Sequence, residues 1–323
     1  MDDQLGLFGS HPPPAARSVG PAEPTPDELR LADALPTDVH LGTSSWSFPG
    51  WAGLVYDREV SRSILAREGL RAYAEHPLLS TVGLDRTWYR SLEARELRSY
   101  ADQLPVGFQM LVKADRLLTS PLDPEARSVR AANPRFLDVD FAREVVVGPL
   151  VEGLGEHLGP LLFQFSPMPA SLVDGATSFA ERLADFLGAL PRGPLYAVEL
   201  RTPALLTDAY AEALREAGAA HAHTVHPAMS SLSEQLRAIP PDRGPALVVR
   251  WMLHAGLRYE AARDRYAPFH EMVDEDVGSR RGIAAAVKAA LEAGREAFVV
   301  VNNKAEGSSP RSVTELARTL VAP

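Results

Sequence analysis

Residues 195–224 read LYAVELRTPALLTDAYAEALREAGAAHAHT and contain a short β-like run, an amphipathic helical stretch and a second β-like run. We predict strands over Leu195–Glu199 and Ala219–Thr224 and a helix over Tyr210–Ala217. Because a helical crossover separates the two strands, they are expected to pair in parallel.

The same alternation of β-like runs and helical stretches continues on both sides of this unit. The other strands are predicted at Val39–Ser45, Ser80–Asp85, Phe108–Lys113, Leu161–Phe165, Ala246–Arg250 and Ala297–Val301. The other helices are predicted at Glu93–Leu104, Phe141–Leu158, Phe179–Leu190, Gly282–Ala293 and Arg311–Val321. Eight such units predict an α/β fold, a TIM-like (β/α)8 barrel of parallel strands. An open doubly wound sheet is the alternative, because the pattern does not show closure.

Two segments depart from this alternation. Residues 1–37 are rich in proline and alanine, and we predict a disordered tail there, with the barrel domain over residues 38–323. The connection from Lys113 to Phe141 is long and contains three prolines. Loops of this length are usually functional lids or mobile insertions.

The composition limits the classes of function. The chain of 323 residues has no cysteine, which excludes disulfides and thiol chemistry. Neither a signal-peptide pattern nor a membrane-length apolar run occurs, so a cytoplasmic protein without membrane contact is expected. The net charge of −9 argues against a broad surface that coats nucleic acid but allows a local basic pocket.

Polar and aromatic residues collect at the predicted carboxyl ends of the strands, where barrel enzymes build their active sites. They are Ser45, Trp46, Asp85, Trp88, Tyr89, Lys113, Gln164, Glu199, Arg201, Arg250, Asn302 and Asn303. All four tryptophans of the chain lie in these stretches. We expect one shared mouth; the alternative is that charges merely end strands and aromatic rings cover the rim.

Three of these residues suggest chemical roles. Glu199 and Arg201 are two positions apart, so they share a strand face, and the arginine would hold the carboxylate ionised as a fixed acceptor or a base. A structural ion pair is the alternative. Lys113 ends an apolar strand, where it would bind an anion or, if desolvated, form a Schiff base. Anion binding is favoured, because Arg201 and Arg250 are expected at the same mouth.

The last unit adds a candidate phosphate site. Ser309 is a good N-cap and Pro310 a good first helical residue, so the final helix would present free backbone N–H groups after strand eight. Ordinary helix capping is the alternative reading. Asn302 and Asn303 precede this turn and are candidates for ligand binding.

His221 and His223 are two residues apart on a predicted strand, with His226 nearby. Two histidines at that spacing face the same way and could bind a divalent metal such as zinc. No dense set of carboxylates accompanies them, so no cofactor is predicted and the metal remains an alternative. No nucleophile-elbow, P-loop or dinucleotide-binding motif occurs.

Six dispersed motifs resemble those of the YecE-like family (domain of unknown function 72). They are GTSSWSFPGW at residues 42–51, TWYR at 87–90, GFQMLVK at 107–113 with Thr119, LFQFSP at 162–167, VELR at 198–201 and VNN at 301–303. The resemblance implies a TIM-barrel-like fold and no established reaction. A distant likeness of that family to barrels of the endonuclease IV type has made DNA binding one suggestion for it.

The residues Gln4, Leu5, Leu7 and Phe8 form a short peptide, QLGLF at residues 4–8, near the start of the chain. It resembles the motif by which bacterial replication and repair proteins dock on the DNA sliding clamp. A glutamine would form hydrogen bonds while Leu7 and Phe8 fill an apolar pocket. Packing of this segment onto the barrel is the alternative.

The sequence therefore favours an enzyme or binder that acts on a phosphate-bearing ligand, a nucleic acid or nucleotide, at the barrel mouth. Lys113, Arg201 and Arg250 would hold the anion, and Trp46, Trp88 and Tyr89 would stack on a base. Glu199, Lys113 and Asp85 are the catalytic candidates, for a hydrolase, nuclease-like or lyase reaction. One alternative is a non-catalytic replication or repair accessory protein that the clamp recruits. Another is a carbohydrate or small-molecule enzyme with Glu199 and Asp85 as its carboxylates.

Overall fold

The computed structural model describes residues 19–126 and 131–322. Eight parallel strands close into a barrel in chain order, with β1 paired to β8. They are β1 (Val39–Thr43), β2 (Thr81–Leu84), β3 (Gln109–Lys113), β4 (Leu158–Gln164), β5 (Tyr196–Glu199), β6 (Ala220–Val225), β7 (Leu247–Trp251) and β8 (Ala297–Val301). The predicted barrel is confirmed, and the open sheet is excluded.

Helices surround the barrel. They are α1 (Pro26–Ala34), α2 (Arg62–Ala74), α3 (Ala94–Ala101), α4 (Arg116–Thr119), α5 (Val139–Phe141), α6 (Gly148–Leu154), α7 (Ala176–Ala189), α8 (Asp208–Ala217), α9 (Leu232–Ala238), α10 (Tyr259–Tyr266), α11 (Val277–Glu292) and α12 (Ser309–Val321). A π-helical stretch (Ala142–Val147) joins α5 to α6, and short 3-10 turns lie at Pro49–Trp51, Arg86–Trp88, Gly155–His157, Ala170–Val173 and Pro203–Leu205. In the part of the chain that the structure describes, no helix is both long and apolar enough to cross a membrane.

The barrel interior is filled by small and branched apolar side chains from six strands. They are Leu111, Leu162, Ala197, Ala220, Ala222, Val248 and Val300. The intervening residues of each strand face outward and pack against the helices in a second, larger core. This division follows the period-two alternation of strand side chains.

The predicted tail is wrong for residues 19–37, which are structured. Helix α1 begins with a capping box in which Thr25 and Glu28 satisfy each other's backbone N–H groups. Leu31 is fully buried, and Arg318 of α12 donates two hydrogen bonds to Asp27. Residues 1–18, which hold the rest of that prediction, lie outside the described residues.

The predicted helix Phe141–Leu158 is too long at its carboxyl end. Helix α6 ends at Leu154, where Gly155 takes a positive φ of 54° that favours glycine. Strand β4 then starts at Leu158, earlier than predicted, and includes Pro160. The β3–β4 register shifts between Met110 and Val112 at this point, so the sheet accommodates a residue without an N–H donor.

The connection between Lys113 and Phe141 carries the short helix α4 and an antiparallel bridge between Leu122 and Ala132. The Asn133 side chain donates hydrogen bonds of 2.7 Å to the carbonyl oxygens of Leu117 and Ser120. Its proposed role as a lid stays a prediction.

Candidate functional site

The strand alternation brings the candidate residues to one layer at the carboxyl end of the barrel. On five strands the last inward position follows an interior apolar residue by two: Lys113 follows Leu111, Gln164 follows Leu162, Glu199 follows Ala197, Arg250 follows Val248 and Asn302 follows Val300. Asp85 and Ser44 occupy the equivalent positions after β2 and β1. Residues far apart in the sequence therefore meet because their strands share one register.

A buried carboxylate organises the centre of this mouth. Glu199 is 0% exposed and accepts a hydrogen bond from Arg201 Nε at one oxygen and from Arg250 Nη1 at the other, the latter at 2.6 Å. Burial alone would raise the pKa of Glu199, but the two guanidinium groups outweigh it and hold the pKa at about 2. Gln164 Oε1 accepts a further hydrogen bond from Arg250 Nη1 at 3.1 Å.

This geometry makes Glu199 a fixed acceptor that orients two arginines. The alternative role of a general base is not supported, because both carboxylate oxygens are engaged and the side chain is enclosed. The predicted pairing of Glu199 with Arg201 is present, and Arg250 completes it.

Lys113 and Asp85 form the second part of the mouth. The Lys113 ammonium lies 3.9 Å from Asp85 Oδ1 and 4.6 Å from the centroid of the Trp88 ring. Arg250 Nη2 is 3.8 Å from the same Asp85 oxygen, which accepts no hydrogen bond from the described residues. The Asp85 side chain is 42% exposed, so it is the carboxylate of the mouth that a ligand can reach.

Lys304 adds a fourth cation that the sequence interpretation did not select. Its ammonium lies 3.3 Å from Asn302 Oδ1 and 4.1 Å from the centroid of the Tyr259 ring. Asn302 in turn donates a hydrogen bond of 2.8 Å to Ser44 Oγ. Burial lowers the pKa of Lys304 to about 8, and the nearby Asp85 carboxylate opposes this shift. Lys304 therefore belongs to the same electrostatic cluster as Lys113.

His226 is a second residue of this region that the sequence analysis did not name as a ligand-binding or catalytic candidate. Burial and the neighbouring Arg201 are the main causes that lower its pKa to about 4, so its imidazole is neutral at pH 7. The charges of Arg201, Glu199 and Arg250 all affect this pKa, so His226 lies near these residues. A neutral imidazole there offers a hydrogen bond without adding charge.

The cluster carries excess positive charge. Four cations (Lys113, Arg201, Arg250 and Lys304) stand against two carboxylates (Asp85 and Glu199), which leaves two positive charges in excess when all are ionised. A chain with net charge −9 thus concentrates cations at one end of the barrel. Such a region attracts anions despite the opposite sign of the whole protein.

Three of the four tryptophans are not available to a ligand. Trp51 and Trp251 are fully buried, and Trp46 is buried with its Nε1 donating to the Leu65 carbonyl oxygen at 3.0 Å. The predicted stacking role of Trp46 is therefore wrong. Trp88 is half-buried beneath Lys113, and Tyr89 packs edge-on against it at 4.9 Å between centroids, with 63% of the tyrosine exposed.

The predicted phosphate site at the start of α12 is closed. Asn303 is buried, and its Oδ1 accepts hydrogen bonds of 2.8 Å from both the backbone N–H and the hydroxyl of Ser309. The N-cap is Ser308, one residue earlier than predicted, and Ser309 and Pro310 are themselves buried. The start of α12 is therefore ordinary helix capping, which was the alternative reading, and Asn303 supplies the acceptor.

Ser45 lies just outside the mouth. Its hydroxyl is 3.4 Å from that of Ser47, in the segment that follows β1. Its neighbour Ser44, which bonds to Asn302, is the serine that faces inward.

His221 and His223 face away from the barrel interior. They alternate with the inward residues Ala220 and Ala222, and they contact Tyr210 of α8 and the carbonyl oxygen of Ile239. Burial is the main cause that lowers the pKa of both imidazoles. Within residues 19–126 and 131–322, no group of three histidine or acidic side chains could hold a metal ion. The idea of a metal held by this pair is therefore not supported.

The predicted clamp-binding peptide, with Gln4, Leu5, Leu7 and Phe8, lies outside the described residues. Docking on a DNA sliding clamp stays a prediction.

Comparison with known proteins places the chain in a family. No curated protein matches it in sequence. The DUF72 family protein TM1631 of Thermotoga maritima MSB8 has 20% identity and a TM-score of 0.57, over 87% of this chain and 98% of that one. The DUF72 family protein EF0366 of Enterococcus faecalis V583 has 17% identity and a TM-score of 0.56, over 88% and 96%. These likenesses show the shared fold. The family model described as "Protein of unknown function DUF72" matches residues 40–323, and the chain therefore belongs to that family.

Proposed function

We propose that the barrel mouth binds an anionic, phosphate-bearing ligand and that the chain is an enzyme or binder acting on a nucleotide or nucleic acid. The observation that supports this best is the convergence of Lys113, Arg201, Arg250 and Lys304 around only two carboxylates. Glu199 holds both arginines in place before a ligand arrives. Their side chains therefore lose little conformational entropy when a ligand binds.

The cations are suited to a phosphoryl group in particular. Arginine presents planar N–H donors that match phosphate oxygens, and lysine adds a compact point charge. The site is partly desolvated, which strengthens each charged contact relative to bulk water. A small cluster of cations is also compatible with a net charge of −9. A single phosphate group needs only a local group of cations, whereas a long nucleic acid needs an extended basic surface.

Two aromatic rings beside the cluster favour a ligand that carries a nucleobase. Trp88 supports the Lys113 ammonium, and the exposed Tyr89 ring lies next to Trp88. Stacking of a nucleobase on an exposed aromatic ring contributes about 1–3 kcal/mol. Tyr89 is therefore the residue we expect a base to contact.

The carbohydrate alternative receives less support from this geometry. A glycosidase needs two carboxyl groups that both reach the substrate. Glu199 is enclosed by two arginines, which leaves Asp85 as the reachable carboxylate of the proposed pair.

The proposal is tested by isothermal titration calorimetry of the full chain at low salt, with AMP and with a single-stranded oligonucleotide as ligands. We expect Lys304→Gln to weaken AMP binding by about tenfold or more, the usual effect of losing one charge-assisted contact. Lys288→Gln is the matched control, because Lys288 lies on α11 and donates to the Ala322 carbonyl oxygen. Undetectable binding of both ligands at low salt would refute the proposal.

Binding should also depend on pH. The pKa values of Lys113 and Lys304 are both lowered to about 8, burial being the main cause. Each ammonium is charged below that pH and neutral above it, so affinity for AMP should fall as the pH rises from 7 to 9. Calorimetry across this range measures the fall, and Lys304→Gln should reduce it. A constant affinity would contradict a contribution from the lysines.

A further inference from the structure

Lysine is rare in this chain, and its placement is not random. Only Lys113, Lys288 and Lys304 occur among the 33 basic residues; all the others are arginine. Two of the three lysines lie buried at the mouth. Arginine supplies positive charge almost everywhere else, and a guanidinium group is always protonated and is no nucleophile. A lysine in a buried site of this chain therefore points to a role that requires an amine.

Of the two buried lysines, Lys113 has the amine with fewer hydrogen bonds. Its nitrogen lies over the Trp88 ring and 3.9 Å from Asp85, and within the described residues no side chain or carbonyl group accepts a hydrogen bond from it. The Lys304 amine is instead hydrogen-bonded to Asn302 and covered by Tyr259. Lys113 can thus approach a ligand atom without first breaking a hydrogen bond.

Burial favours the neutral form of Lys113. Burial is the main cause that lowers its pKa to about 8; the positive charges of Arg250 and Arg201 add to the shift, while Asp85 and Glu199 oppose it. At pH 7 roughly a tenth of such an amine is neutral, against about one molecule in several thousand for a lysine of ordinary pKa. Desolvation beside other cations is the setting in which lysine becomes a nucleophile.

We propose that Lys113 forms a Schiff base with the carbonyl group of a phosphate-bearing ligand, with Asp85 as the proton carrier and Arg250 and Lys304 as the phosphate contacts. This inference rests on the anion site proposed above and names the chemistry that the site performs. It assigns the chain to enzymes that act on phosphorylated aldehydes or ketones, among them sugar phosphates and the opened sugar of an abasic nucleotide.

The step balances as follows. The neutral Lys113 amine attacks the carbonyl carbon and gives a carbinolamine, in which a C–N bond has formed and the C=O double bond has become a single bond. One N–H proton moves to the former carbonyl oxygen and completes the hydroxyl group. A second proton, from the solvent, lets that group leave as water, while the nitrogen lone pair forms the C=N bond of a protonated imine that keeps one hydrogen. Asp85 Oδ1 lies 3.9 Å from the Lys113 nitrogen, so one bridging water would connect the two and let Asp85 carry the N–H proton to the former carbonyl oxygen.

The test is reductive trapping on the full chain with dihydroxyacetone phosphate as the probe and sodium borohydride as the hydride donor. The hydride converts the imine to a stable secondary amine, which peptide mass mapping locates. Three lysines and the N-terminal amine are the primary amines to distinguish. We expect the adduct at Lys113, at least tenfold more abundant than with unphosphorylated dihydroxyacetone. Adducts mainly at Lys288, Lys304 or the N-terminus, or no preference for the phosphorylated probe, would overturn the proposal.

Two variants and a control sharpen the result. Lys113→Arg and Lys113→Met should both abolish the adduct, whereas Lys288→Arg should retain it; circular dichroism confirms that each variant is folded. If either Lys113 variant does not fold, the peptide map of the unaltered chain decides. Titration with inorganic phosphate separates the two proposals. Phosphate binding without an adduct refutes the Schiff base and leaves the anion site standing, and the loss of both refutes both.

Discussion

Glu199→Gln is expected to destabilise the fold by about 3–5 kcal/mol, the usual cost of removing one partner of a buried ion pair. The substitution keeps the shape of the side chain but leaves the buried Arg201 without its counter-charge, and it leaves the buried Arg250 with only Asp85, 3.8 Å away. Urea unfolding at pH 7 measures the loss. Glu212→Gln is the control, because its partner Arg215 is exposed on α8 and little change is expected.

The same carboxylate makes stability depend on pH. The pKa of Glu199 is about 2 in the folded chain, against an ordinary value of 4.5. Because this pKa is lower in the folded chain than in the unfolded one, the ionised carboxylate stabilises the fold. This stability is fully present above the ordinary pKa and is lost as the pH falls from there toward 2. The unaltered chain should therefore lose stability more steeply between pH 5 and 2 than Glu199→Gln does. Parallel curves would contradict the buried pair.

Leu31→Ala is expected to cost about 2–5 kcal/mol, because it removes a fully buried side chain from the contact between α1 and the barrel. Leu29→Ala on the same helix is the matched control. Leu29 is 48% exposed, so the same substitution should change stability by less than about 0.5 kcal/mol. Chemical unfolding of both variants gives the comparison. Equal effects would mean that α1 is not an integral part of the fold.

The barrel could be predicted because its strands are short, apolar and separated by amphipathic helices. The register of the mouth follows from the same pattern: since Leu111 and Leu162 face inward, Lys113 and Gln164 must do so too. This rule holds no further than the first residue after a strand, as at Ser44, Asp85 and Asn302. Trp46 lies beyond the end of β1, where the alternation no longer holds, and its ring turned into the core.

Helix α1 and Lys304 each had a signal in the sequence that our predictions did not use. Residues 19–37 are rich in proline and alanine, yet Thr25 and Glu28 form a capping box around Pro26, the first helical residue. Such a local helix start is not visible in the composition. Lys304 is one of only three lysines, and its rarity was the available signal. The capping of α12 by Asn303 could not be foreseen, because it depends on a turn that only the folded loop defines.

A crystal structure of the chain soaked with tungstate, a tetrahedral anion with strong anomalous scattering, examines the anion site most directly. We expect an anomalous peak at the mouth within hydrogen-bonding distance of Lys113 or Lys304 and of Arg250. Peaks confined to arginines on the outer helices, with none at the mouth, would contradict an anion site there.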